Sequence, residues 1–387
     1  MNDPLIERLR GFGTTVFAEM SALAVRTGSI NLGQGFPDED GPASLLERAV
    51  EAIRGGGNQY PPGPGIPELR QAVGAQRLSR YGQEYDPDTE ILITVGATEA
   101  IASAVLALTQ AGDEVIAFEP FYDSYAAMIA LAGASLKPVT LRPSGGRFTF
   151  DPDELRRAVT PRTKAILVNS PHNPCGTVFT EEELRLIAGL CVEHGLTAIT
   201  DEVYEYLTFD DAVHLPLASF PGMRERTVTI SSAGKTFSVT GWKTGWICAP
   251  EPYIRAVKTV KQFLTYVGAG PWQHAVAHGL RHELDWVEGL RKSLQGKRDR
   301  LSAGLESAGF TVHRPQGTYF VQADPRPLGH EDGESFSRAL PGLAGVVCIP
   351  TQVFYADPAR GRHYVRFAFC KRDEVIDDAV ERLRNAL

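Results

Sequence analysis

Several features that mark whole classes of protein are missing from this sequence of 387 residues. No apolar run approaches the roughly 20 residues that a transmembrane helix needs, so we expect no membrane span. The amino terminus has no basic stretch followed by an apolar one, which predicts no signal peptide and a cytoplasmic protein. The net charge of −8 gives no electrostatic reason for binding nucleic acid or anionic membrane.

Cysteine is scarce and scattered. The chain has five cysteines and no C-x-x-C pair, and they are Cys175, Cys191, Cys248, Cys348 and Cys370. This pattern predicts reduced thiols rather than a disulfide framework, and no metal site. Internal repeats and low-complexity segments are also missing. What is present is 43% hydrophobic residues in a chain long enough for a large core, which predicts two domains or one domain with a satellite.

One segment, residues 231–246, concentrates the chemistry: it reads SSAGKTFSVTGWKTGW and follows a β run. Lys235 and Lys243 lie there among small hydroxyl residues and glycines. A nearby cation lowers the pKa of an amine, and the neutral amine is the form that attacks carbonyls. A solvated lysine-rich turn is the ordinary alternative, but two tryptophans and a following apolar strand disfavour it. The S-x-x-K and K-T-G motifs of serine acyl-enzymes also occur, but there they lie far apart and need an S-D-N, which this chain lacks.

Elsewhere, polar or aromatic residues follow predicted strands. They are Gly96-Ala97-Thr98, Tyr122, Asn169 with Asn173, and Asp201 with Tyr204. A glycine turn that opens a helix can bind phosphate, although a plain turn with a threonine cap fits the bare pattern equally well. A carboxylate at a strand end can hold a proton on a ring nitrogen, or it can cap a helix. An aromatic residue in such a place can stack on a ligand or pack in the core.

Alternating strands and helices over residues 36–275 predict a three-layer α/β domain with a mostly parallel sheet. Ligands bind at the carboxyl edge of such a sheet. We expect an amino-terminal arm (residues 1–35) and residues 276–387 to form a smaller α+β domain. The loop 58–65 is not a complete G-x-G-x-x-G and no strand precedes it, which excludes a dinucleotide fingerprint. Arg366 lies on a predicted strand, where its planar fork suits a carboxylate or a structural ion pair.

Taken together, these motifs resemble those of the class I and II aminotransferases, the pyridoxal-phosphate enzymes of fold type I. The resemblance implies that Lys235 forms the Schiff base with the cofactor, that Asp201 holds the proton on its pyridine nitrogen, and that Tyr204 contacts its phenolic oxygen. The other cofactor contacts that it implies are Gly96, Ala97, Thr98, Tyr122, Asn173, Ser232 and Lys243, with Tyr60 reaching the cofactor of a partner subunit. The substrate contacts that it implies are Phe17, Gly35, Asn169 and Arg366, the last two on the α-carboxylate. His172 and Cys175 have no role in it and are predicted to be structural.

The resemblance also implies a homodimer with shared active sites that acts on amino acids and 2-oxo acids. It is strongest to the branch that holds the kynurenine, glutamine and methionine transaminases and the actinobacterial N-succinyldiaminopimelate aminotransferases. The kynurenine and glutamine transaminases carry an aromatic residue and a histidine where this chain has Gly268 and Ala269. We therefore expect an open pocket that prefers N-succinyl-LL-diaminopimelate, with Arg366 and either Lys261 or Arg326 meeting its carboxylates.

Three alternatives stay open at this point. One is a kynurenine, glutamine or methionine transaminase, and another is β-elimination from cysteine conjugates on the same scaffold. The third is a non-enzymatic regulator, which needs an appended helix-turn-helix domain for which the short arm leaves no room.

Overall fold

The computed structural model describes residues 4–13, 15–268 and 270–387. The α-helices are α1 (Val16–Thr27), α2 (Ala43–Arg54), α3 (Pro67–Tyr81), α4 (Gly96–Leu108), α5 (Ser124–Leu131), α6 (Pro152–Ala158), α7 (Glu181–His194), α8 (Ala233–Thr236), α9 (Glu251–Leu264), α10 (Gly270–His282), α11 (Leu284–Ser307), α12 (Gly333–Ala344) and α13 (Asp373–Ala386). The strands are β1 (Ile30–Asn31), β2 (Ile91–Val95), β3 (Glu114–Glu119), β4 (Ser135–Thr140), β5 (Arg142–Ser144), β6 (Arg147–Thr149), β7 (Thr163–Asn169), β8 (Thr197–Asp201), β9 (Thr227–Ser232), β10 (Thr244–Cys248), β11 (Thr311–His313), β12 (Phe320–Asp324), β13 (Val346–Val347), β14 (Ile349–Pro350) and β15 (Val365–Ala368).

A seven-stranded sheet in the order β2-β10-β9-β8-β7-β3-β4 forms the centre of the molecule. Its neighbours pair in parallel except for β10, which runs antiparallel to both β2 and β9. The inner strands are near-continuous apolar runs because both of their faces are covered. Helices α4, α5 and α9 cover one face, and α2, α3, α7 and α10 cover the other. The predicted three-layer α/β fold with a mostly parallel sheet is confirmed.

A second, antiparallel sheet in the order β11-β12-β15-β14 packs with α11, α12 and α13 around a separate apolar core. The amino-terminal segment joins this part of the chain, since β1 pairs in parallel with β13. Helix α1 packs beside the same strands. The predicted limit at residue 275 falls within α10, which packs on α2 and α3 under the central sheet. The division of the chain at residues 35 and 275 stays a prediction.

The helical region predicted from residue 253 to about residue 305 has the expected break near residues 267–271 and a second one at Glu283. All five cysteines are free and buried. Among the described residues, no helix is long and apolar enough to cross a membrane, and no cluster of histidine, cysteine and carboxylate side chains is suited to a metal ion.

Candidate active site

A cavity of about 300 Å³ opens at the carboxyl edge of the central sheet. Register explains why it forms there: Asn169 pairs with Asp201 and Asp201 pairs with Ile230, so three strands end side by side. The cofactor and substrate contacts that the resemblance implies all line this cavity, with the exception of Tyr60: Phe17, Gly35, Gly96, Ala97, Thr98, Tyr122, Asn169, Asn173, Asp201, Tyr204, Ser232, Lys235, Lys243 and Arg366. Strand ends therefore bring together residues that are spread over 350 positions of sequence.

One end of the cavity is built for an anion. Helix α4 begins there with no side-chain cap at its amino terminus, so its first N–H groups are free and its dipole favours negative charge. The threonine-capped turn considered above is therefore wrong. Gly96 has a φ of +71°, and a Cβ there would lie 3.2 Å from Cε of Lys243. Ser232 and Lys243 line the same cavity, and a hydroxyl, a cation and a helix amino terminus are groups that can bind a phosphate.

Asp201 lies at the centre of the cavity floor and is 5% exposed. One carboxylate oxygen accepts a hydrogen bond of 2.6 Å from the Tyr125 hydroxyl, and the other accepts the Val203 N–H at 3.3 Å. Burial raises the pKa of Asp201 above its usual range, and these hydrogen bonds oppose that shift. The carboxylate also caps a turn, but no helix begins there and the side chain faces the cavity.

The side chain of Lys235 ends in the same cavity. Its Nζ donates to the Tyr319 hydroxyl at 2.8 Å. The pKa of Lys235 is lowered to about 8, mainly by burial and also by the nearby Lys243 and Arg366, whereas Cys370 and Asp201 oppose the shift. At pH 7 about a tenth of such an amine is neutral, far more than for an exposed lysine, and the neutral form is the one that a nucleophile or a general base requires.

Arg366 on β15 is 1% exposed, yet no carboxylate lies within ion-pair distance of it among the described residues. Its two terminal nitrogens donate to Asn173 Oδ1 at 3.1 Å and to the Gly33 carbonyl at 2.9 Å, while Nε has no partner. Burial lowers its pKa to about 10. A structural ion pair, the alternative weighed above, is therefore wrong, and the guanidinium is placed for an anionic ligand.

The donor set thus combines a phosphate cradle, a buried carboxylate that can face a ring nitrogen, and an amine of lowered pKa, which is the set that pyridoxal phosphate requires. The family model for aminotransferases of class I and II matches residues 27–383. The chain belongs to this family. It is a transaminase, its cofactor is pyridoxal 5′-phosphate, and the non-enzymatic alternative is set aside.

Known relatives of this aminotransferase extend over nearly its whole length. The probable N-succinyldiaminopimelate aminotransferase of Mycobacterium tuberculosis is 57% identical over 98% of this chain and 97% of its own. A solved structure of the enzyme from that organism superposes with a TM-score of 0.97 over 99% of this chain and 100% of that one. The methionine aminotransferase of Escherichia coli is 39% identical over 99% of both chains, and mouse kynurenine–oxoglutarate transaminase 3 is 38% identical over 98% of this chain and 89% of its own.

The two asparagines of the aminotransferase cavity have different surroundings from those predicted. Asn169 uses both ends of its amide within the protein: Nδ2 donates to the Asp201 carbonyl at 2.8 Å, and Oδ1 accepts the Asn173 N–H at 2.7 Å. The amide nitrogen has a second N–H that the bond to Asp201 does not use, so the contact between Asn169 and the substrate carboxylate stays a prediction. Asn173 instead lies against Arg366. In the sequence both asparagines lie in one proline-containing loop, and the pattern does not indicate which of the two amides faces the ligand.

The two further cations proposed for substrate carboxylates do not line the cavity of this subunit, and their contact with substrate stays a prediction. Lys261 is buried and donates to the Tyr266 carbonyl at 3.0 Å, and Arg326 is bound by both oxygens of Asp324. Tyr60 is 80% exposed, away from the cavity, beside a shallow hollow that Gly268 also lines. Its predicted reach into a partner subunit stays a prediction, and Ala269 lies outside the described residues.

The predicted structural residues, His172 and Cys175, are both buried outside the cavity. Sequence reasoning missed Tyr125, which binds Asp201, and Tyr319, which binds Lys235. Tyr125 comes three residues after Tyr122, just inside α5, and the two rings meet edge-on at 5.8 Å. Tyr319 offered no signal by spacing, because it is 84 residues from Lys235 along the chain.

Proposed function

We propose that this aminotransferase prefers N-succinyl-LL-2,6-diaminopimelate and exchanges its amino group with the 2-oxoglutarate–glutamate pair. The observation that carries this proposal is the identity of 57% to the mycobacterial N-succinyldiaminopimelate aminotransferase, against 39% and 38% to the methionine and kynurenine enzymes.

The roles of the residues follow from their surroundings. Pyridoxal phosphate, when bound, draws electrons from the α-carbon of the amino acid and so makes its proton acidic. We assign the transfer of that proton to the Lys235 amine, whose pKa of about 8 suits both removal and return. Asp201 keeps the ring nitrogen protonated. Arg366 holds the α-carboxylate with its unpartnered side, and Asn173 orients the guanidinium.

The substrate carries further carboxylates beyond the one at the reacting carbon. Within the described residues, however, the cations that line the cavity are Lys235, Lys243 and Arg366, and all three already have tasks. A distal carboxylate must therefore meet groups from outside this subunit or at the mouth of the cavity. This need supports a homodimer with shared sites, in which Tyr60 crosses to the cofactor of the partner subunit.

A comparison of kcat/KM for N-succinyl-LL-diaminopimelate, kynurenine, methionine and glutamine, each with 2-oxoglutarate, tests the proposal. We expect the first to lead kynurenine by about tenfold or more, which corresponds to about 1.4 kcal/mol of transition-state binding. A tenfold preference for kynurenine would reject the substrate. Release of ammonia and pyruvate from a cysteine conjugate without a 2-oxo acid would instead reveal β-elimination.

A further inference from the structure

Tyr319 joins the amine of Lys235 to Gly35, which lines the cavity. Its hydroxyl accepts a hydrogen bond from Lys235 Nζ at 2.8 Å and donates one to the Gly35 carbonyl at 2.7 Å. The side chain is 1% exposed, and its ring meets that of Tyr204 edge-on at 5.3 Å. No role in catalysis has so far been given to this tyrosine.

The direction of each hydrogen bond is fixed by the partners. The Gly35 carbonyl can only accept, so the phenolic proton points toward it. The phenolic oxygen is then left to accept an N–H from Lys235, whether that group is an amine or an ammonium. Burial holds the pKa of Tyr319 well above its usual range. Tyr319 therefore keeps its proton and acts as an acceptor toward the lysine.

The segment 33–35 lies directly on residues 319 and 320. A Cβ at Gly35 would come within 2.9 Å of the Tyr319 ring and would collide with Phe320. The Phe320 ring in turn lies 3.9 Å below the Arg366 guanidinium, which donates to the Gly33 carbonyl. The segment 33–35 thus accepts two hydrogen bonds. The Gly33 carbonyl accepts one from Arg366, the proposed carboxylate-binding residue, and the Gly35 carbonyl accepts one from the Tyr319 hydroxyl.

We propose that Tyr319 is a positioning residue that holds the Lys235 amine whenever the amine is not joined to the cofactor. The inference rests on the proposed role of Lys235 in proton transfer. The α-proton of the substrate passes to the neutral amine, which becomes an ammonium, and Tyr319 neither gains nor loses a proton. Because both forms of the lysine donate to the same oxygen, Tyr319 can hold Nζ in one place before and after the transfer.

The test is Tyr319→Phe, which removes the acceptor and keeps the ring. We expect kcat to fall about tenfold, the effect of one hydrogen bond in the transition state. KM for the amino donor and the affinity for pyridoxal phosphate should change less than about twofold, since no contact to either is lost. Deuterium at the α-carbon of the donor should slow the variant more than the wild type, because proton transfer then limits the rate more.

A second readout needs no turnover. In cofactor-free protein, the labelling of Lys235 by an amine-reactive reagent, followed across pH by mass spectrometry, reports the pKa of its amine. Tyr319→Phe should lower that pKa further, because the hydroxyl oxygen stabilises the ammonium more than the amine. The matched control is Tyr85→Phe, a buried tyrosine outside the cavity, which should leave the isotope effect and the labelling profile unchanged.

Unchanged kcat, isotope effect and labelling in Tyr319→Phe would overturn the inference. A fall in cofactor affinity and thermal stability that matches the fall in kcat would also overturn it, because Tyr319 would then be structural only. Lys235→Ala separates this failure from that of the proposed function. If Lys235→Ala is inactive while Tyr319→Phe is normal, only the role of Tyr319 fails; if Lys235→Ala turns over normally, the assignment of Lys235 fails first.

Discussion

Arg77 and Arg366 are both almost fully buried, at 0% and 1% exposure, but one is surrounded by carboxylates and the other by rings and neutral oxygens. Arg77, from α3, donates to Glu202 at 3.1 Å and to Glu205 at 3.3 Å, and two of its nitrogens bind Gln83. Arg366 meets Asn173, the Gly33 carbonyl and the faces of three phenylalanines. Burial by itself lowers the pKa of both guanidinium groups, and only their neighbours differ.

The difference is visible in their pKa values. The pKa of Arg77 is raised, because two carboxylates outweigh the effect of burial, whereas that of Arg366 is lowered to about 10. A buried cation without a counter-ion is costly, and such sites are concentrated where a ligand supplies the missing charge. The charge of Arg77 is therefore balanced within the protein, whereas Arg366 has no carboxylate partner among the described residues.

The largest loss of function should come from the cavity side, with Lys235→Ala. This change removes the proposed proton-transfer group, so we expect kcat to fall by about 10⁴-fold. Thermal unfolding of the cofactor-free variant should occur at the wild-type temperature or above it, because the fold loses only an amine whose charged form burial disfavours. Near-normal transamination by this variant would remove Lys235 from its role.

In the ion-paired cluster around Arg77 we expect a loss of stability, and Arg77→Met tests it. The change leaves Glu202 and Glu205 buried without their shared cation, and breaking a buried pair in this way costs about 3–5 kcal/mol of unfolding free energy. Urea unfolding of the cofactor-free protein measures it. Arg48→Met is the matched control, since Arg48 pairs with Glu51 on the surface of α2 and should matter little. A loss below about 1 kcal/mol in Arg77→Met would mean that the cluster does not stabilise the fold.

This contrast also marks how far the sequence could predict the molecule. Lys235, Asp201 and Arg366 could be placed in one cavity, because each follows or lies on a strand and because parallel strands end at one edge. The cluster behind them could not, since Arg77 is 125 residues from Glu202 and appears in the sequence as one of several basic residues on an ordinary helix. Pairings across such distances depend on packing between layers, which periodicity does not encode.

Two asparagines of the cavity show the same limit of prediction from sequence, over a much shorter stretch of chain. Asn169 and Asn173 were both expected at the ligand, but which amide faces inward depends on the path of the loop between them. Tyr60 is a different case, because a contact to a second subunit cannot be derived from the spacing of residues within one chain.

Next in size is Asp201→Asn, which keeps the shape of the side chain and removes its formal charge. The variant can no longer balance a protonated ring nitrogen, so we expect a loss of about 3 kcal/mol of transition-state stabilisation, equal to roughly 10²-fold in kcat. Tyr125→Phe removes only a hydrogen bond to the same carboxylate and should cost less. A near-native kcat in Asp201→Asn with the cofactor bound would contradict the assignment.

A smaller and more selective effect is expected from Arg366→Lys. The charge is retained, but the two-pronged contact with a carboxylate is lost. KM should rise about tenfold for both the amino donor and the 2-oxo acid, which corresponds to about 1.4 kcal/mol of binding. The affinity for pyridoxal phosphate should stay the same. If KM is unchanged for both substrates, Arg366 does not bind the α-carboxylate and its missing counter-ion needs another explanation.

The mildest effect concerns pH, and it follows from the influence of the cavity cations on Lys235. An ordinary lysine has a pKa of about 10.4, but burial, helped by Lys243 and Arg366, lowers that of Lys235 to about 8. Only the neutral amine captures a carbonyl. The rate at which cofactor-free protein captures pyridoxal phosphate should therefore rise about tenfold per pH unit up to about pH 8 and level off above it.

Arg366→Met removes a neighbouring cation, so the pKa of Lys235 should increase and the plateau should begin at higher pH. Arg77→Met removes a cation that is already neutralised by its own carboxylates and should leave the profile in place. A capture rate that keeps rising to pH 10 in the wild type would show that Lys235 titrates as an exposed lysine does. If Arg77→Met shifts the pH profile of the capture rate as much as Arg366→Met does, the two arginines do not differ in their effect on Lys235.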